Sequence, residues 1–94
     1  MTKETIQTLH PVKDKTNKII DLEKYIFIRD SLLEILAENE PTHTEMMEML
    51  FEKVKDIFEG GIWYGETVKL DLEARELIER FGKSPERYRL IAVS

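Results

Sequence analysis

The sequence predicts a small, mainly α-helical fold of three helices closed by a C-terminal β-hairpin, and three observations carry that prediction. Apolar residues recur at helical spacing from Leu22 to Leu36 and from Met46 to Phe58. Between those stretches, Thr42-His43-Thr44-Glu45 has the spacing of a capping box, and Gly60-Gly61 follows the second stretch. Beyond Leu77 the period changes to alternation on either side of the turn-forming run Gly82-Lys83-Ser84-Pro85-Glu86.

Residues 1–18 are polar, contain Pro11 and Asn17 and hold no period, so they read as an N-terminal arm, with 19–94 as a single domain. Asp21 is the expected N-cap of the first helix and Ile20 its staple residue. Leu22, Tyr25, Ile26, Ile28, Leu32, Leu33, Ile35 and Leu36 share one half of a helical wheel. Glu23, Asp30, Ser31, Glu34 and Glu38 share the other, and the helix should end near Asn39, before Pro41. Two residues break the pattern. Arg29 lies in the apolar half, as a snorkelling or internally paired arginine would, or a ligand anchor. Phe27 lies on the charged half, exposed or in contact with a partner.

In the capping box Thr42 accepts from the Glu45 amide while the Glu45 side chain reaches back. The helix it opens should run to about Phe58, with Met46, Met47, Leu50, Phe51, Val54, Ile57 and Phe58 on one broad apolar face and Met49 left among acids. Gly60-Gly61 should then end it in the left-handed manner. His43 stands at the helix start with no second His, no Cys and no matched acid at useful spacing, so a capping or solvent role is expected of it. For the third helix two readings compete. One helix from Glu66 through Phe81 would strand Val68 and Leu72 in water. A helix ending near Glu76 uses both as core contacts, leaving Leu77–Phe81 and Arg87–Ala92 as strands, with Tyr88, Leu90 and Ala92 inward and Arg87 and Arg89 outward. The second reading is preferred, with Trp63 and Tyr64 in the turn before the helix.

The chain has 94 residues, 41% of them hydrophobic and 35% charged, a net charge of −5 and no cysteine. A chain of that length buries only about 60% of its unfolded surface, enough for one modest core. Without cysteine there is neither a disulfide framework nor a thiol nucleophile. No uninterrupted apolar run is longer than that of Tyr25–Ile28, far below the roughly 20 residues a bilayer span requires. The N-terminus lacks a secretory h-region, so the expected compartment is the cytoplasm. The charge is uneven. Residues 30–59 carry nine acids against Lys53 and Lys55, whereas in 64–94 six cations balance six anions. Four of those cations, Arg80, Lys83, Arg87 and Arg89, come after residue 79, so any polyanion should bind there.

Three helices and a hairpin make up the winged-helix arrangement, in which the third helix usually reads DNA and the wing touches the backbone. The run Leu72-Glu73-Ala74-Arg75-Glu76-Leu77-Ile78-Glu79-Arg80 resembles the Leu-x-x-x-Gly-Leu-Ile-x-Arg ending of bacterial winged-helix proteins, with Glu76 where that pattern commonly has Gly. More specifically, Trp63 to Arg75, with His10-Pro11 upstream and Arg87-Tyr88-Arg89-Leu90 downstream, resembles a family of small bacterial proteins of unknown function. The resemblance spans about residues 10–91 and implies a fold, but it assigns no activity and no functional residue.

Catalysis has little support. The pairs Glu34 with Glu38 and Glu48 with Glu52 are helical neighbours on solvent faces, there is no phosphate loop and no nucleophile elbow, and no metal, cofactor or small-molecule substrate is expected. The first expectation is a regulatory DNA-binding module with Tyr64, Thr67, Lys69, Arg80, Lys83, Arg87 and Arg89 as contacts. Glu66, Asp71 and Glu73 on the same helix weigh against it. The alternative is a protein-interaction or homodimerisation module that binds no DNA and uses the third-helix face, with Phe27, Met49, Trp63 and Leu70 as contacts.

Overall fold

The structure, a computed structural model, describes residues 4–57 and 60–91. Its elements run β1 (Thr5–Gln7), β2 (Ile19–Asp21), α1 (Leu22–Glu38), α2 (His43–Val54), α3 (Gly61–Ala74), β3 (Ile78–Phe81) and β4 (Arg87–Leu90). They make a three-helix globule with two small antiparallel hairpins, β1–β2 and β3–β4.

The polar N-terminal stretch contains a strand that sequence periodicity does not reveal. Ile6 pairs with Ile20 and Thr5 with Asp21, and the Thr8 amide donates to the Lys18 carbonyl at 3.0 Å. Three-residue strands are too short to display a period of two. This pairing also changes the start of α1. Asp21 holds the N-cap position, but as a β2 residue it makes no side-chain capping bond, and the Leu22 amide donates instead to the Glu4 carbonyl at 2.9 Å. At the other end Asn39 Nδ2 donates to the Ile35 carbonyl, and Pro41 prevents continuation.

α1 is the central element, with α2, α3, β4 and the N-terminal hairpin all packed against it. Its buried face is therefore wider than one stripe. Phe27 and Ser31, expected on the solvent side, are drawn in: Ser31 is buried and Phe27 packs half-buried against the core. Ile26, expected inside, is exposed. Arg29 donates to Asp30 at 3.0 Å and lies 5.8 Å from the Tyr25 ring centre, so it snorkels across the apolar half and pairs locally.

The capping box forms as read: Glu45 N donates to Thr42 Oγ1 at 3.2 Å and Thr42 N to Glu45 Oε1 at 2.9 Å. α2 stops at Val54, before the expected Phe58, which lies outside the described residues. Gly60 is left-handed at φ 81°, but it opens α3 instead of closing α2: the Tyr64 amide donates to the Gly60 carbonyl at 3.0 Å. Trp63 and Tyr64 consequently sit in the first turn of α3, not in a turn before it.

Val68 and Leu72 are fully buried, the i and i+4 contacts that favour the shorter third helix. The chain then leaves α3 through two bonds, from Glu76 N to the Glu73 carbonyl and from Leu77 N to the Leu72 carbonyl, which together make a Schellman motif. In β3–β4, Ile78 pairs with Leu90 and Phe81 with Arg87. Tyr88 points inward and is buried. Leu90 does not follow it into the core; it is exposed, because a hairpin two strands wide leaves its last inward position at the rim. Ala92 lies outside the described residues. The hairpin is fastened to the α1–α2 connection by a Thr42–Arg87 bridge and by the Tyr88 amide, which donates to the Pro41 carbonyl at 2.9 Å.

Candidate functional site

Two helical ridges of α2 and one of α3 enclose a groove of about 650 Å³. Met47 and Phe51 on α2 and Ile62 on α3 give it an apolar floor, with Glu48 and Glu52 along one rim and Glu66 on α3 across from them. The helices can approach because Gly65 has no side chain: a Cβ there would stand 2.5 Å from Leu50 Cδ2 and 3.1 Å from Met47 Sδ. Phe51, read from the sequence as core, is 43% exposed, and Ile62 is 46% exposed. Ile57 and Trp63 are also exposed, so large apolar side chains concentrate where α2 gives way to α3. Trp63 stacks edge-on against Tyr64, with ring centres 4.9 Å apart.

Behind the groove lies a polar cluster joining α2, α3 and the hairpin. Lys69 is buried, with Nζ 3.1 Å from His43 Nδ1 and 3.3 Å from the Tyr88 hydroxyl, and 4.9 Å from the Tyr88 ring centre. Burial pulls the Lys69 ammonium below the usual lysine range, and Arg80 adds to that while Glu73 and Glu66 oppose it. Burial likewise lowers His43, with the Lys69 charge adding to the effect. A neutral imidazole accepting from Lys69 at Nδ1 carries its proton on Nε2, which faces Glu66 Oε1 at 3.6 Å. Arg80 grips the nearly buried Glu73 carboxylate with Nε and an Nη at 3.0 and 3.2 Å. This cluster is a closed strut beneath the groove wall, with its amine withdrawn from solvent.

A second network fixes the N-terminal arm. The fully buried Asp71 carboxylate accepts from the Leu9 amide at 2.8 Å, from the Tyr25 hydroxyl, and from Arg75 Nε at 2.8 and 3.0 Å. Burial, together with the Asp71 hydrogen bond, pushes Tyr25 up to about 12. Asn17 Nδ2 adds bonds to the Leu9 and Thr67 carbonyls at 2.8 and 3.0 Å. Among the described residues no buried side-chain polar atom lacks a partner, and no three His, Cys, Asp or Glu side chains gather as a metal site. No described helix is long and apolar enough to cross a membrane.

These positions separate the residues proposed from sequence for DNA. Thr67 and Lys69 are buried in the α3 interior, so Lys69 does not project from the helix. Tyr64 is half-buried against the core. Arg80 pairs with Glu73, Arg87 with the Glu40 carbonyl and Glu45, and Arg89 with Glu79, while Lys83 stands exposed at the hairpin turn. Two of the three acids weighed against DNA are also withdrawn, Asp71 into the arm network and Glu73 beneath Arg80. Of the interface residues, Trp63 and Met49 are exposed, Leu70 is half-buried and Phe27 belongs to the α1 packing. The groove floor went unrecognised because apolar periodicity assigns Phe51 to the core. The available signal was breadth: the seven apolar positions read on one face between Met46 and Phe58 exceed what one packed stripe requires.

No curated protein and no solved structure matches the chain. A family model described as a family of unknown function (DUF6958) matches residues 5–88, from the first strand of the arm to the inward tyrosine of the last strand. The chain therefore belongs to that family.

Proposed function

We propose that this chain is a non-catalytic protein-interaction module that engages a partner through the groove between α2 and α3. The observation that carries this reading is the concentration of Phe51, Ile57, Ile62 and Trp63 as exposed large apolar side chains at one junction of a small domain. Isolated exposed apolar residues are ordinary, but two that line one groove, Phe51 and Ile62, with an exposed tryptophan next to Ile62 in the chain, have the composition of an interface centre. The polar strut beneath it supports the same reading, because Lys69, His43 and Tyr88 hold the groove wall in one position before any partner arrives.

The fold reads best as a winged-helix variant in which the β3–β4 wing is anchored on the α1–α2 connection and an extra N-terminal hairpin is added. DNA binding is the disfavoured use of it. Arg80, Arg87 and Arg89 already have carboxylate partners, and each would have to leave one to neutralise a phosphate. A cytoplasmic location suits either use. Affinity capture with the wild-type chain and with Phe51→Asp tests the reading: a protein retained by the first and lost with the second is expected. Identical captured sets, or binding of random duplex DNA at roughly 50 mM salt that Phe51→Asp leaves intact, would overturn it.

A further inference from the structure

We infer that the occupant of the α2–α3 groove is a positively charged amphipathic helix of a partner protein, an inference that rests on the docking role proposed above. Three features of the groove select it. The first is shape. The groove is built from helix ridges, with residues 43, 47 and 51 in one row and 44, 48 and 52 in the next, and it offers no free strand edge. From His43 to Lys55 the wall rises about 18 Å at 1.5 Å per residue, the length of a helix of roughly three turns. The second is the floor. Met47, Phe51 and Ile62 are unbranched, aromatic and branched apolar groups side by side, suited to the apolar stripe of an incoming helix.

The third feature is charge, which determines the partner's flanks. Glu48 and Glu52 stand along one rim and Glu66 on the other, against one lining cation, Lys55. Lys55 is already engaged by Glu52 at 2.9 Å, and among the described residues Glu48 has no ion pair. A helix whose apolar stripe is bordered on both sides by Lys or Arg meets a carboxylate on each rim. A second copy of this chain docking face to face through the same groove would set Glu48, Glu52 and Glu66 against themselves. Duplex DNA would meet the same carboxylates with its phosphates. Like charges brought together across an interface exclude both occupants.

Fluorescence anisotropy with two labelled 14-residue probes tests this. One is an amphipathic Leu/Lys helix, and the other is its Leu/Glu counterpart with the same apolar stripe. The Leu/Lys probe should bind about tenfold more tightly, the sum expected of a few rim pairs. The double variant Glu48→Lys, Glu66→Lys should invert that preference. Phe51→Asp makes the chain more acidic, which would strengthen adventitious attraction to a cationic peptide, yet it should abolish binding at the groove. Circular dichroism confirms that each variant is folded. Equal binding of the two probes, lost with Phe51→Asp, would overturn the charge inference and leave the docking role standing. Binding of the Leu/Lys probe that Phe51→Asp leaves unchanged would overturn both. A dimer in analytical ultracentrifugation that Phe51→Asp dissolves would replace the helix with a second copy.

Discussion

Glu76 carries the backbone in a conformation its side chain disfavours. It sits at φ 60°, at the left-handed position of the Schellman motif closing α3, where glycine is the usual residue. A non-glycine residue there costs roughly 1 kcal/mol. Glu76→Gly should therefore raise the melting temperature by about 4–8 °C, and an unchanged or lower value would contradict the assignment. The position was legible from the sequence as a departure from a familiar helix ending, although its geometry was not. Asp71 is the opposite case. Its pairing with Arg75 follows from i,i+4 spacing, whereas the Leu9 amide and the Tyr25 hydroxyl come from segments 62 and 46 residues away, which local spacing cannot reveal. Asp71→Asn replaces an acceptor-only group with one that also donates, so it should lower stability by about 2–4 kcal/mol in urea denaturation. A loss under about 1 kcal/mol would mean that the arm is held by its strand pairing alone.

Elements were legible where one signal dominated and misread where two competed. The capping box placed the start of α2, and the need to bury Val68 and Leu72 settled where α3 ends, though not where it begins. The turn between α2 and α3 was misplaced because Gly60 serves equally well to end one helix or begin the next. Gly65 sets how closely those two helices meet. Gly65→Val forces side-chain atoms into Leu50 and Met47 and should cost roughly 1–3 kcal/mol even though valine disfavours a helix less than glycine does. The strut joining α2, α3 and β4 should make stability depend on pH. His43 faces Lys69 on α3 and Tyr88 on β4, with Arg80 of β3 nearby and Glu66 the one favourable charge. Its folded value lies below its ordinary 6.5, so the unfolded chain protonates first. The contribution of His43 is complete above about pH 6.5 and declines as pH falls below it, ahead of the window below 4.5 in which Glu45 loses its capping bond. Thermal melts from pH 7.5 to 5 should show this decline, and His43→Gln should flatten it. Equal slopes for the two proteins would show that His43 does not carry the pH dependence.

At the scale of the whole molecule, the −5 charge proved less informative than its placement. Segment sums separated an acidic stretch, residues 30–59, from a balanced C-terminus, yet they suggested free cations on the wing that folding pairs off with Glu45, Glu73 and Glu79. Those partners lie seven to 42 residues away, so the sum over a segment is the wrong measure of its field. The groove was hidden for a related reason: exposure of Phe51 depends on how much of α2 the packed α3 covers, a property of the assembled pair and not of either helix pattern. If the groove is the working surface of the molecule, a docking helix must touch its walls, and amide chemical-shift mapping during titration with the Leu/Lys helix reads that contact residue by residue. Perturbations should concentrate in His43–Lys55 and Ile62–Glu66; perturbations confined to the β3–β4 hairpin would place the docking surface elsewhere.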